Sequence, residues 1–389
     1  VASLVDTDRP VGCGHAAGQA EGQGVEPTIY APATAAGRAA LGVLRITGAR
    51  AADAVCALTG RAPPEPRRAS LVRLRDPRDN EPIDQALLLW FTGPRSETGE
   101  DLLEIQHHGG RAVLARLLEV LGRLPGFRPA QPGEFARRAF LNGKLDLTAA
   151  EGLADLVDAT TRAQARQALR QLDGALGRLY GGWRDRLLGA LALVEAEIDF
   201  AAEEEVPDDM LRRVIPAIAE IRQEMVSHLA DARRGERLRA GVTVAVVGEP
   251  NVGKSSLVNL LTQRDVAIVT PVPGTTRDVI EVQLDLDGLP VTLLDTAGLR
   301  TTDDPVEVEG VARARRRAAE ADLRLLVVDA ASQSDPLEPP DAGTLLVVNK
   351  IDLVTPRDLP RDAVAISCRT GTGVGELLTA MGRQVAGLV

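Results

Sequence analysis

Residues 242–255 restrict this chain to few folds. VTVAVV reads as a buried strand, Gly248-Glu-Pro-Asn-Val-Gly253-Lys254-Ser255 follows it at once, and SSLVNLLT then opens a helix. The glycines let backbone N–H groups curl around a β-phosphate, Lys254 reaches the β and γ oxygens, and the Ser255 hydroxyl holds Mg²⁺. A strand, this loop and a helix in that order call for an α/β sheet, with the ligand at the carboxyl ends of its strands.

Further short strings follow β-rich runs downstream. Asp295-Thr296-Ala297-Gly298 closes VTLLD, where a carboxylate holds the magnesium shell and Gly298 offers its N–H to the γ-phosphate. Asn349-Lys350-Ile351-Asp352 closes TLLVV; Asp352 accepts from guanine N1 and N2, and the Lys350 stem lines the ring. Ser367-Cys368-Arg369 after AVAI is expected to close over the base. In this order the set resembles the guanine-nucleotide-binding family of P-loop proteins.

The segment from Thr270 to Asp278 places Thr275 and Thr276 after Gly274, one able to complete the Mg²⁺ shell, and the hairpin-like alternation VIEVQLDLDG comes next. Leu299 stands after the Asp-Thr-Ala-Gly string, where Ras-like enzymes carry a water-orienting glutamine. Another group must therefore orient the water. The side-chain oxygen of Asn251, with carbonyls of residues 270–274, would suit a monovalent cation; as local chemistry Asn251 is equally a turn asparagine.

Arginine replaces lysine nearly everywhere: there are 42 arginines and only Lys144, Lys254 and Lys350. Each lysine lies in a short string (LNGKLDL, NVGKSS, VVNKID) where a planar fork does not substitute for a compact ammonium. A formal charge of −10 argues against unspecific coating of nucleic acid, and five Phe, two Trp and two Tyr are too few for a base-stacking platform. Cys13, Cys56 and Cys368 form no CxxC pair, so neither a disulfide framework nor a thiolate metal site is expected. No apolar run approaches the ~18 residues that span a bilayer, and the start lacks the pattern of a signal peptide. A cytoplasmic protein without membrane attachment is the expectation.

Residues 1–27 read as a flexible tail or start extension. From Thr28, strand-like LGVLRI and ALLLWF and the helical RAVLARLLEVLGRL predict a mixed α/β domain over 28–143. Ala/Leu-rich sequence then predicts a helical domain over 144–238. Its last helix carries Leu211, Val214, Ile215, Ile218, Ile221, Met225 and Leu229 as one apolar stripe, and a break at RGERLRAG ends it. A sheet domain over 239–389 follows. His107 and His108 are neighbours on a strand and point apart, so a shared metal is not expected. VARARRRAAEADLR reads as a basic helix, first with a solvated face and otherwise as a contact for RNA phosphates or a partner.

NVGKSSL, TPVPGTTRD, DTAGLR with VEVEG, LGVLRITG, SETGEDLLEIQHHGG, PGEFARRAFLNGKLDL and EIDFAAEE together resemble the MnmE (TrmE) family of tRNA-modification GTPases, from about Thr28 to the end. That resemblance implies an α/β multidomain fold: an N-terminal α+β folate-binding and dimerising domain, a helical domain, and a P-loop GTPase domain with a Ras-like mixed sheet inserted into it. It implies potassium-stimulated GTP hydrolysis with Mg²⁺. It also implies modification at C5 of the wobble uridine of tRNA, to a (carboxymethyl)aminomethyl group, with the FAD protein MnmG in a heterotetramer and 5,10-methylene- or 5-formyl-tetrahydrofolate.

Carried over, GTP contacts would come from Asn251, Val252, Gly253, Lys254, Ser255 and Ser256, and from Thr270, Pro271, Val272, Pro273, Gly274, Thr275 and Thr276. Asp295, Thr296, Ala297 and Gly298, then Asn349, Lys350, Asp352, Ser367, Cys368 and Arg369, complete that set. Ser255 and Thr276 would hold magnesium; Asn251, Thr270, Val272 and Thr275 would hold potassium. Glu307 would orient the attacking water, and Asn251 and Lys254 would serve the same step. Arg45, Glu104 and Lys144 would contact folate; by chemistry alone, without the resemblance, each reads first as a surface or salt-bridge residue, and Glu307 as a solvated one. The family's terminal Cys-x-Gly-Lys is not among these residues, which end at GRQVAGLV, and Glu97 stands where an aromatic is usual. The alternatives are an Era-type regulatory or ribosome-assembly GTPase, or a truncated chain that hydrolyses GTP without modifying tRNA.

Overall fold

A computed structural model describes residues 26–199, 210–264, 266–268, 281–295, 320–331, 343–354 and 363–389. The chain divides into two compact units, meeting in sequence at Ala150 and Glu151.

The first unit is built on β1 (Thr28–Pro32), β2 (Leu41–Thr47), β3 (Ser70–Arg75), β4 (Pro82–Phe91), β5 (Leu102–His108) and β6 (Phe127–Pro129), in the order β3-β4-β5-β2-β1-β6. All neighbours are antiparallel except β1 and β6. Strand alternation separates two faces: Leu44, Ile46, Leu103 and Ile105 are fully buried, whereas Arg45 and Glu104 between them are partly exposed. The buried face packs with α1 (Ala51–Thr59) and α2 (Arg111–Gly122), whose inward residues Ala51, Ala54, Val55, Leu58 and Leu117, Val120, Leu121 recur at helical spacing. α3 (Glu134–Leu141) follows, and α4 (Leu147–Asp158) leads out of this unit.

In the second unit α5 (Arg162–Leu172) starts at a capping box, with the Thr161 side chain accepting from the Gln164 N–H and Gln164 returning a bond to the Thr161 N–H. α6 (Ala175–Asp199) packs on α7 (Met210–Ala240), which runs through Gly235 without interruption. The expected break at RGERLRAG is thus corrected: the helix ends at Gly241, whose φ of +85° only glycine adopts readily. The apolar stripe is split as well, since Val214 and Ile221 are buried while Ile215, Ile218 and Leu229 are exposed.

Beyond it come β7 (Val242–Val247), α8 (Lys254–Thr262), β8 (Ala267–Ile268), β9 (Glu281–Leu286), β10 (Leu289–Asp295), β11 (Leu323–Asp329), β12 (Thr344–Asn349), β13 (Val364–Ala365) and α9 (Val374–Leu388). The sheet order is β13-β12-β11-β7-β10-β9-β8. The run from β13 to β10 is parallel, and β9 and β8 are antiparallel. A two-residue turn at Asp287 (φ +54°) and Gly288 (φ +89°) joins β9 to β10. The register sets Asp295 beside Val246, Leu326 beside Val247 and Asp329 beside Asn349, so four parallel strands end along one edge. The α/β multidomain architecture with a mixed P-loop sheet is present.

Candidate nucleotide-binding site

At that edge the chain leaves β7 into the Gly248–Ser255 loop. Gly248 has φ +145°, Asn251 +64° and Gly253 +102°, and a Cβ on Gly248 or Gly253 would sit 2.2 Å from the Val327 carbonyl or from Asn349 Nδ2. Four of the loop's carbonyls are hydrogen-bonded by side chains, two of them by the loop's own lysine. Lys254 Nζ donates to the Gly248 and Glu249 oxygens at 3.0 and 2.7 Å, Lys350 Nζ to the Asn251 oxygen at 2.8 Å, and Asn349 Nδ2 to the Val252 oxygen at 2.9 Å. With these carbonyls engaged by side chains, the loop N–H groups at the start of α8 suit an anion. Two of the chain's three lysines serve this loop.

The base-side residues are interlocked. Asn349, 2% exposed, accepts from the Cys368 N–H at 3.1 Å. Asp352 takes the Ser367 hydroxyl on Oδ1 at 2.6 Å and the Arg369 guanidinium on Oδ2 at 2.5 Å. The Ser367 hydroxyl, aided by Arg369, holds the Asp352 carboxyl below its ordinary value, so it stays an acceptor at neutral pH. Burial pushes the Cys368 thiol up, which favours its protonated form. Turn bonds from Gly371 N–H to Ser367 O and from Thr370 N–H to Ser367 Oγ shape the loop.

One participant was not foreseen. Asp329, the last residue of β11, lies 2.7 Å from Lys350 Nζ, and that ammonium lowers its carboxyl. The signal was available, since LRLLVVD ends in a carboxylate just as VTLLD does.

Ser255 and Ser256 lie in the exposed first turn of α8, and Asp295 closes β10 beside the strand that feeds the loop. Hydroxyl and carboxylate oxygens suit a hard cation such as Mg²⁺. Among the described residues no three His, Cys, Asp or Glu side chains cluster as metal ligands. Thr270, Pro271, Val272, Pro273, Gly274, Thr275 and Thr276, Thr296, Ala297 and Gly298, Glu307, and residues 311–319 of the basic stretch lie outside the described residues.

In the first unit Arg45 and Glu104 are directly opposite across β2 and β5, with Arg45 Nε donating to Glu104 Oε1 at 2.8 Å. Glu97, unremarked as a partner in the sequence, pairs with Arg45 Nη1 at 2.9 Å. Lys144 is exposed on the turn after α3, where its N–H bonds the Ala139 oxygen. The same turn is tied to the Glu97 loop by Asn142 Nδ2 donating to the Thr98 oxygen at 2.7 Å. His107 and His108 do point apart: His107 is buried, and His108 pairs with Asp84.

The family profile described as "GTP-binding protein TrmE N-terminus" matches residues 28–144, and that described as "MnmE helical domain" matches residues 147–388. A relative from Methylobacterium sp., named tRNA modification GTPase MnmE, is 54% identical over 360 residues, covering 90% of this chain and 80% of the relative. One of the same name from Parvibaculum lavamentivorans is 53% identical, covering 92% and 82%. The human mitochondrial protein named 5-taurinomethyluridine-[tRNA] synthase subunit GTPB3 is 48% identical, covering 96% and 81%. With a strand-bound phosphate loop, an interlocked base site and profile matches along nearly all described residues, the chain belongs to the MnmE family of tRNA modification GTPases.

Proposed function

We propose that this chain hydrolyses GTP in the service of C5 (carboxymethyl)aminomethylation of the wobble uridine in tRNA, acting in the cytoplasm as a homodimer with the FAD protein MnmG. The observation that carries the GTP half is Asp352, fixed as an ionised acceptor by Ser367 and Arg369 and joined through Asn349 to the phosphate loop. A carboxylate there takes both N1–H and N2–H of guanine, and adenine offers no such pair.

In this reading residues 239–389 bind GTP. Lys254 neutralises the β and γ oxygens, and the loop N–H groups hold the phosphates while charge moves to the leaving oxygen. Ser255 and Thr276 would hold magnesium, which would supply charge neutralisation for the nucleotide's phosphates. Asn251, Thr270, Val272 and Thr275 would hold potassium. Glu307 would orient the attacking water through a bridging water. Residues 28–143 would dimerise and bind the tetrahydrofolate through Arg45, Glu104 and Lys144, and residues 144–238 would carry the helical domain. Family membership supports each assignment, and the Arg45–Glu104 pair gives the folate reading a formed polar site. Among the described residues no helix is long and apolar enough to cross a membrane.

Complementation tests the modification half. The gene is supplied to a strain lacking its own family member, and digested tRNA is examined for the C5-modified uridine. Return of the nucleoside supports the proposal. Its continued absence, with soluble chain that turns over GTP but does not co-elute with MnmG, would reduce the function to GTP hydrolysis alone.

A further inference from the structure

Arg45 stands between two carboxylates. Its Nε donates to Glu104 Oε1 at 2.8 Å, and its Nη1 lies 2.9 Å from Glu97 Oε2 and donates to Glu97 Oε1 at 3.2 Å. A guanidinium offers a carboxylate two forks, Nε with Nη2 and Nη1 with Nη2, and here each fork has one corner taken. A further carboxylate therefore meets no open two-point grip. The three side chains also sum to one negative charge, which opposes an approaching anion.

The two partners are not equally replaceable. Glu104 faces Arg45 across neighbouring strands with its side chain 16% exposed, whereas the Glu97 side chain is 43% exposed and comes from the 93–101 loop. The backbone of that loop is tied down on both sides of Glu97. Ser96 Oγ donates to the Glu100 oxygen; Thr98, fully buried, shares a 2.7 Å hydrogen bond with the Thr47 hydroxyl, and its carbonyl oxygen accepts from Asn142 Nδ2 at 2.7 Å. Gly99, at φ +81°, passes so close to Asn142 that a Cβ would stand 2.7 Å from the Asn142 Cβ. The fold thus delivers Glu97 to Arg45 and leaves its exposed side chain as the part that can swing away. A partly exposed ion pair of this kind is worth up to about fivefold in an equilibrium, so a ligand carboxylate can displace it.

We infer that Glu97 is a specificity-determining residue of this site: it competes with a ligand carboxylate for Arg45, and so weakens binding of a ligand with free carboxylates relative to the same ligand with those groups masked. The inference rests on the reading of Arg45, Glu104 and Lys144 as tetrahydrofolate contacts, in which the glutamate tail supplies the carboxylate.

The test is calorimetric titration of the full chain and of Glu97→Gln with 5-formyl-tetrahydrofolate and with its glutamate diester. Glutamine keeps the length and one oxygen of the side chain and removes its charge. The free acid is expected to bind Glu97→Gln about fivefold more tightly than it binds the parent chain, with the diester binding both proteins equally. Urea unfolding of the two proteins separates this effect from a change of fold. Free acid bound equally or more weakly by the variant would overturn the competition and leave the folate reading standing. A diester tightened as much as the acid would also overturn it, since the effect would then not run through a ligand carboxylate. If neither protein binds either compound, the folate reading itself fails and the inference falls with it.

Discussion

Asn349 Nδ2 donates to the Val252 carbonyl at 2.9 Å while its Oδ1 accepts from the Cys368 N–H at 3.1 Å, so one buried side chain joins the phosphate loop to the base loop. Lys350, the next residue, adds a bond to the Asn251 oxygen. In the proposed GTP site, the loop assigned to the phosphates and the loop assigned to the base are thereby joined through side chains of β12 and the residue after it.

Asn349→Ala should leave the Val252 oxygen and the Cys368 N–H without partners. Stranding buried polar groups costs about 1–3 kcal/mol, so GTP affinity should fall about 10- to 100-fold. Equilibrium binding of a fluorescent GDP analogue checks this, with urea unfolding reporting the stability loss separately.

Glu134 gives a pH prediction for the first unit. Its carboxylate is held to about 2 by Arg128, which donates to both oxygens at 2.7 and 2.6 Å, with Gln131 N–H and Arg138 adding to it. Because the folded value lies below the ordinary 4.5, its stabilisation is present in full above that value and lost as pH falls from there towards about 2. Glu134→Gln should cost about 3 kcal/mol at pH 7, and the difference from the parent chain should shrink below pH 4.5. Urea midpoints for both proteins between pH 3 and pH 7 measure it.

Arg45→Ala should abolish binding of 5-formyl-tetrahydrofolate and leave GTP turnover unchanged. The Arg45 pairs with Glu104 and Glu97 are partly exposed, so stability should shift by no more than about 1 kcal/mol. Calorimetric titration of folate against both proteins distinguishes a lost contact from a lost fold.

Asn251 has φ +64°, which makes alanine a poor control because it adds backbone strain. Asn251→Gly removes the side-chain oxygen and keeps the conformation. GTP turnover in KCl should exceed that in NaCl for the parent chain, and the two salts should give equal rates for the variant.

Local features were legible in the sequence and cross-chain ones were not. LGVLRI and the phosphate loop reported their conformations through near neighbours, and the structure has them as β2 and as the turn from β7 into α8. Gly235 shows where local reading misleads. A glycine among arginines resembles a helix stop, but the helix continues, and the Gly235 oxygen takes a bond from Gln167 on α5. Glu97 pairs with Arg45 and Asp329 with Lys350. Both meet their partners through sheet register and loop packing, which no periodicity records.

The central claim is a guanine site governed by one carboxylate, and nucleotide preference tests it most directly. Steady-state kcat/KM for GTP, ATP and XTP is measured on the parent chain and on Asp352→Asn. The parent chain should prefer GTP over the other two by at least about 100-fold, since the pair of N–H···carboxylate bonds is charge-assisted. The variant should lose GTP and gain XTP, because an amide N–H complements the xanthine 2-oxo group. A parent chain that uses ATP as well as GTP, or a variant with unchanged preference, would contradict the account.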